Sequence, residues 1–484
     1  MTRLTEVLTA IADGARPVPI AEDTWRRGVR RRRSRVVGAG LVIAAAGLAT
    51  TVWLFGGGGG RATGPGGSAP PVVPSTVYSP VTGQDTVVEA PPGPAAILVA
   101  GDHELRGSDI WGWEGRSLLV SQDGHYRLAR TVGESNAGIL GGLLLSPDGR
   151  YLASIPWMEG SSWPDDGRAQ TALLDLSTGE VVQRDGGDPV VWAPDGASLL
   201  VHAYPPDGSG QPYRIGSLGL LDVGTGRTRS LPEIRGRMRM GNVAAFSPDG
   251  TRLAVATEDA LYVVDLGRDT LVRLADLTEH DRLAGPGAWL PDGQRIAMYS
   301  MSGCADGESC DETALGQRRF QIRYLDAGTG QPAQGPPLAV ARGLAARLLG
   351  WQRNGAAVVA VYSPEAGLRK PAGDPSWSET DWWAVGGVEL MRFATDGSQR
   401  RLVDLPGSAL FVDVPANLLD RFGGPSPSRL EGALRWLLAL YWPAGQVAEL
   451  VVVVVGLAVG LSLWRRRRRR GPRRAAVRNA AEGR

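Results

Sequence analysis

Between residues 95 and 414 short apolar runs alternate with tight polar turns, and one arrangement recurs. It reads Leu143-Leu144-Leu145-Ser146-Pro147-Asp148-Gly149, Val190-Val191-Trp192-Ala193-Pro194-Asp195-Gly196, Ala244-Ala245-Phe246-Ser247-Pro248-Asp249-Gly250 and Ala288-Trp289-Leu290-Pro291-Asp292-Gly293, with a decayed copy at Leu348-Leu349-Gly350-Trp351-Gln352-Arg353-Asn354-Gly355. Copies separated by tens of residues mark a fold made by repeating one supersecondary unit. In each turn proline presets φ, Asp or Asn bonds its own backbone, and glycine accepts a positive φ. Leu145, Trp192, Phe246, Trp289 and Trp351 lie three residues before the turn Asp or Asn, and Leu152, Leu199, Leu253, Ile296 and Val358 lie four after it. Large apolar residues in one register on both arms predict a hairpin that packs a face on a neighbouring sheet.

A second element follows each first one. Leu173-Leu174-Asp175-Leu176-Ser177-Thr178-Gly179, Leu220-Leu221-Asp222-Val223-Gly224-Thr225-Gly226, Val263-Val264-Asp265-Leu266-Gly267 and Tyr324-Leu325-Asp326-Ala327-Gly328-Thr329-Gly330 are apolar runs stopped by Asp and glycine, and Arg392-Phe393-Ala394-Thr395-Asp396-Gly397 is a weaker fifth. Two hairpins per repeat make a four-stranded antiparallel sheet, the unit of a β-propeller. On these two turns the chain resembles the TolB and WD40-like (PD40) Asp-Gly-repeat propellers over residues 95–414. The resemblance implies an all-β fold and leaves activity open, because such propellers serve as receptors, scaffolds and enzymes. Ala96–Ala100, Ser117–Ser121 and Tyr126–Arg130 supply three strands before the first turn, and Ala409–Val414 supplies one after the last. Pairing the last strand into the first sheet leaves no free edge. The expectation is six blades with Ala409–Val414 as the inner strand of the first blade; a five-bladed ring is the alternative.

Charge and hydropathy place this ring. Residues 36–55 carry no charge, and 446–464 are apolar apart from Glu449, so both are candidate membrane-spanning helices. The first follows an arginine run at 26–35 and the second precedes Arg465–Arg470. Basic residues beside a span stay on the cytoplasmic side. The chain therefore reads as a bacterial membrane protein with both termini cytoplasmic, at 1–35 and 465–484, and an extracytoplasmic propeller at 95–414. Residues 1–35 hold nine arginines against four acids and 465–484 hold ten against one, so the tails carry +14 and the remainder −12 of the formal net charge of +2. An acidic exported domain argues against nucleic acid as a partner, while basic tails suit anionic lipid. The leader and apolar core of the first span exceed those of a cleavable signal. Residues 56–94, glycine- then proline-rich, read as a linker, and 415–445 as a second linker in which Leu430–Trp442 is either an interfacial helix or an extension of the span before Pro443.

Candidate chemistry is sparse. Cys304 and Cys310 lie in one loop and, outside the cytoplasm, are expected to form a disulfide. Asp306, Glu308, Asp311 and Glu312 surround them without the spacing of a Ca²⁺ loop, and read as a solvated acidic loop. No nucleophile elbow, zinc-protease helix, phosphate loop or kinase set occurs, and His103, His125, His202 and His280 are scattered. No catalytic residue, metal ligand or cofactor is assigned. The repeated Asp148, Asp195, Asp249 and Asp292 are read as turn residues, not catalytic carboxylates.

Repeat spacing is more informative. Asp249 to Asp265 covers sixteen positions, but Asp148 to Asp175 and Asp195 to Asp222 cover twenty-seven and Asp292 to Asp326 thirty-four. The extra residues fall between second and third strands, which strand alternation puts at one end of the ring. The loops Ser154–Gln170, His202–Gly216, Met301–Arg319 and Ser363–Val385 carry Trp157, Trp163, Tyr204, Tyr213, Trp377, Trp382 and Trp383. Aromatics on long loops are the usual anchors of binding surfaces, though they also pack loops on themselves. Trp382-Trp383 followed by a bend at Gly386-Gly387 is the preferred anchor. The function expected is binding of a protein or small ligand at this face. Two alternatives remain. One is signalling to a cytoplasmic regulator, because residues 1–35 resemble the leaders of actinobacterial membrane proteins associated with extracytoplasmic-function sigma factors, without their His-x-x-x-Cys-x-x-Cys pattern. The other is an extracytoplasmic propeller enzyme.

Overall fold

The apolar runs become strands and the Asp-Gly turns become their hairpins. The computed structural model describes residues 70–79, 85–101, 117–129, 143–155, 170–202, 218–237, 243–305, 307–373, 383–407 and 409–425. Six antiparallel blades follow one another along the chain. Blade 1 has strand order Ala409–Asp413, Ala95–Gly101, Ser117–Ser121, Tyr126–Ala129, counted from the inner strand. Blade 2 runs through Leu143–Leu145, Tyr151–Ser154, Gln170–Asp175 and Val181–Asp185, and blade 3 through Asp188–Trp192, Ser198–His202, Leu218–Asp222 and Thr228–Ser230. Blade 4 comprises Ala244–Phe246, Arg252–Ala256, Ala260–Asp265 and Thr270–Asp276. Blade 5 begins at Asp281–Leu283, continues through Arg295–Ser302 and Arg319–Asp326 to Pro332–Ala333, and gains Ala341–Arg342 as an extra strand. Blade 6 comprises Ala345–Trp351, Ala357–Pro364, Val385–Phe393 and Gln399–Val403.

The ring closes as its repeat arithmetic requires. Ala409–Asp413 pairs antiparallel with blade 1 in the register Leu98↔Asp413, Val99↔Val412 and Ala100↔Phe411, so the two ends of the propeller share one sheet. This removes the five-bladed alternative.

Adjacent blades are held by more than apolar burial. Trp192 donates its indole N–H to Leu144 O at 3.1 Å, Trp289 to Ala245 O at 2.9 Å and Trp351 to Gly287 O at 2.8 Å. Leu144 and Ala245 lie on the inner strands of the preceding blades, and Gly287 lies in the segment that follows the inner strand of blade 5. A buried indole needs an acceptor, and these carbonyls supply it. In blade 1 the same position before the turn proline is Asp413. Its carboxylate accepts from Leu145 N at 3.1 Å in blade 2 and pairs with the Arg347 guanidinium at 3.5 Å in blade 6. One buried carboxylate thus ties the closing strand to both neighbours.

The flanks differ from the expected linkers. Within 56–94, Val73, Val77 and Val87 are fully buried, Val77 N donates to Asp404 O beside blade 6, and Val87 N donates to Leu128 O on the outer strand of blade 1. The segment covers the outer edges of the two blades that meet at the closure, which protects unpaired strand edges. Its Val73–Pro74 pairs in parallel with Phe422–Gly424, after Ala416–Leu418 has crossed the turn end with Leu418 buried. Apolar valines among the prolines were the local signal for this packing. Among the described residues no helix is long and apolar enough to cross a membrane. The expected spans at 36–55 and 446–464, both tails and the helix at Leu430–Trp442 lie outside the described residues.

Candidate functional site

The turn aspartates are structural. Asp148 Oδ1 accepts from Ser146 Oγ at 2.6 Å and from Arg150 N at 3.0 Å, and Asp249 repeats this with Ser247 Oγ at 2.5 Å and Thr251 N at 3.1 Å. Gly149 holds φ at +76°, and a Cβ there would lie 2.3 Å from Ala95 O. Glycine is required on both grounds. The Ser247 hydroxyl and the Thr251 amide hold the Asp249 carboxyl below the usual range. Such groups are bound to their own turn and are not available for acid–base chemistry.

The opposite end carries the connections between second and third strands. In blade 4 that connection is short, because Ala256 is followed within a tight turn by Ala260, with Thr257 Oγ1 donating to Asp259 Oδ1 at 2.7 Å. In blades 5 and 6 the connections are long, and they fold onto each other. Cys304 and Cys310 form the expected disulfide. Cys310–Asp311 of the blade 5 loop pairs antiparallel with Arg369–Lys370 of the blade 6 loop, in the register Cys310↔Lys370 and Asp311↔Arg369. A one-turn helix, Glu312–Gly316, follows; Asp311 caps it by accepting from Ala314 N at 2.9 Å, and Leu315 anchors it as a fully buried side chain. The Glu312 carboxylate reaches across and accepts from Gly367 N at 2.5 Å.

Two buried cations fasten this clasp. Lys370 is 1% exposed, and its ammonium donates to Ala305 O and Glu308 O at 2.8 Å each, inside the loop closed by the disulfide. Arg318 is fully buried, with Nε donating to Cys304 O at 3.0 Å and Nη1 to Leu344 O at 3.4 Å. A carbonyl cage suits an ammonium, whose three donors are compact and rotatable, while a guanidinium fits the wider spacing around Arg318. Neither residue was singled out for the site from sequence. The available signal was that Lys370 is the only lysine among the fifty-two basic residues of an arginine-biased chain.

Trp383 stands beside the clasp and is 42% exposed, one of few large apolar side chains exposed among the described residues. It precedes strand Val385–Phe393 and so lies outside the strand. Glu365 N donates to Ala384 O at 2.8 Å, which fixes the base of the loop next to it. Gly386–Gly387 lies inside the strand, where the pairing passes from Ser363↔Gly387 to Pro364↔Val385 and leaves Gly386 as an irregularity of the bulge kind, which bends a strand locally; a Cβ on Gly386 would meet Pro364 O at 2.5 Å, so a close backbone approach requires glycine there. Trp157, Trp163, Tyr204, Tyr213, Trp377 and Trp382 lie outside the described residues. His202 ends the second strand of blade 3 at this same face, where burial pushes its imidazole down and keeps it neutral. No group of His, Cys, Asp and Glu arranged to hold a metal ion occurs among the described residues.

Topology and closure define the chain as a six-bladed β-propeller with Asp-Gly hairpin turns. No family model and no curated protein matches it. Solved structures similar to it include the putative TolB from Agrobacterium tumefaciens, 15% identical with a TM-score of 0.34, covering 69% of this chain and 99% of that one. The oligogalacturonate lyase from Vibrio parahaemolyticus is 15% identical with a TM-score of 0.36, covering 70% of this chain and 80% of that one. Against hydrazine synthase from Kuenenia stuttgartiensis the identity is 17% and the TM-score 0.29; the match covers 55% of this chain and 66% of that one, just under two thirds of its length. The set mixes enzymes with a TolB, and a propeller fold does not by itself decide between catalysis and binding.

Proposed function

We propose that the chain is a membrane-anchored extracytoplasmic propeller that binds a protein or small ligand through its long-loop face. The observation that carries this reading is the clasp of blades 5 and 6, a stapled and internally bonded platform, with an exposed tryptophan at the base of the blade 6 loop. A rigid support lowers the ordering cost of binding, and an exposed tryptophan beside it has the character of a hot-spot anchor. The disulfide fits an oxidising compartment, and the two apolar stretches with flanking arginine runs fit an anchor with the propeller outside. Replacing Trp382 and Trp383 together with alanine is expected to weaken partner affinity by at least ~2 kcal/mol while leaving the melting temperature nearly unchanged. A variant that keeps its affinity but melts early would assign both side chains to packing. Protease added to wall-stripped cells should digest the propeller and spare both tails; a terminal reporter found outside would overturn the topology.

A further inference from the structure

We infer that the clasp is a redox-sensitive latch in which Lys370 is the pin and the Cys304–Cys310 disulfide is the bolt. The Lys370 ammonium is lodged among carbonyls of the very loop the disulfide closes, and the backbone of Lys370 is paired with Cys310. Both cysteines are almost fully buried. A reductant therefore reaches the sulfurs only when the loop opens, and opening requires withdrawal of Lys370 from its cage. Conversely, Lys370 leaves its cage readily only when the 304–310 loop is no longer closed. Two states that each favour the other are thermodynamically coupled, and the coupling acts in both directions.

The step is ordinary thiol–disulfide exchange with a dithiol reductant. One thiolate of the dithiol attacks a cystine sulfur and forms a mixed disulfide. Its second thiol then displaces the protein sulfur, so that Cys304 and Cys310 end as thiols and the dithiol ends as a disulfide, two electrons having passed to the cystine. Released from the loop, the segment Arg369–Lys370 loses its strand partner, and the blade 6 loop that also carries Trp383 keeps only the Glu312–Gly367 bond as a polar tie to the blade 5 loop among those described above. If the long-loop face is the binding face, which rests on the reading above, reduction weakens binding there.

The test needs no partner, so its failure is distinguishable from failure of the binding reading. Because the chain has a single lysine, an amine-acylating ester reports on Lys370 alone once the N-terminal peptide is set aside. In the purified full-length chain, acylation of Lys370 should be at least ~10-fold faster after reduction by dithiothreitol than before it, with circular dichroism unchanged. Lys370→Met, an unbranched side chain one atom shorter and without the charge, should accelerate reduction of the disulfide at least ~10-fold. The latch is overturned if Lys370 reacts like a free amine while the disulfide is intact, or stays protected once both thiols are free. It is also overturned if reduction unfolds the whole propeller, or if Lys370→Met leaves the reduction rate unchanged.

Discussion

Single residues show how evenly the repeat is built and where it departs from itself. In the second turn of blades 2, 3 and 5 the left-handed position is glycine, at Gly179, Gly226 and Gly330, with φ between +69° and +76°. Blade 4 places Asp269 there at φ +56°, the one non-glycine residue with positive φ among the described residues. Asp tolerates this conformation better than most residues, at a cost of about 1 kcal/mol, and its exposed pair with Arg229 at 3.1 Å returns little. Asp269→Gly is expected to leave stability unchanged or raise it by up to about 1 kcal/mol, measured by urea unfolding. A clear loss would mean that the Arg229 pair outweighs the backbone cost. The indole anchors behave in the opposite sense. Trp289→Phe keeps most of the apolar area but strips Ala245 O of its donor, and should cost about 1–2 kcal/mol.

Among elements, the closing strand Ala409–Asp413 carries the heaviest demand. Asp413 is buried, and burial pushes its carboxyl up against the opposing pull of Arg347. Removing one member of such a pair strands the other charge, so Asp413→Ala is expected to cost about 3–5 kcal/mol. Replacing Arg347 and Asp413 together with apolar residues should recover much of that loss, because the desolvation cost disappears with the pair. A double variant as unstable as the single one would show that the bond to Leu145 N matters more than the ion pair. Ending the chain at Pro406 removes the strand altogether and exposes the inner edge of blade 1. Such a chain should melt well below the parent, and an unchanged melt would be incompatible with the observed closure.

For the whole propeller, pH dependence follows from its turns. Asp222 is held below the usual range by the amide and hydroxyl of Thr225, Asp265 by the amides of Arg268 and Gly267, and Asp326 and Asp396 by the side chains and amides of Thr329 and Ser398. Groups depressed on folding contribute stability that is present above their unfolded value and is lost as pH falls through the folded one. Asp413 runs the other way: its folded value is raised, so between the unfolded and folded values acidification favours the folded state. The melting temperature should therefore stay level or rise slightly on mild acidification, then fall from about pH 4 downward. A melting temperature that does not fall between about pH 4 and pH 2 would mean that the turn carboxylates contribute nothing.

Local chemistry determined the repeat. Proline, Asp and glycine at fixed offsets specify hairpins, so the repeat and its strand order were legible from residues such as Asp148 and Asp396, and the close pair Cys304 and Cys310 gave the disulfide, whereas six blades rather than five was decided by the pairing of Ala409–Asp413 with Ala95–Gly101. The same logic recognised the repeated aspartates as turn residues. What tertiary structure decided depends on which segments meet. The valines of 73–87 looked like linker because their partners, Asp404, Leu128 and Phe422, are remote in sequence. Gly386 marks a strand irregularity, but that it sits inside a paired strand, against Pro364 O, leaves no local trace in the sequence. Lys370 and Arg318 carried no motif at all, since an ammonium or a guanidinium acquires its role only when two loops from different blades bring backbone carbonyls around it.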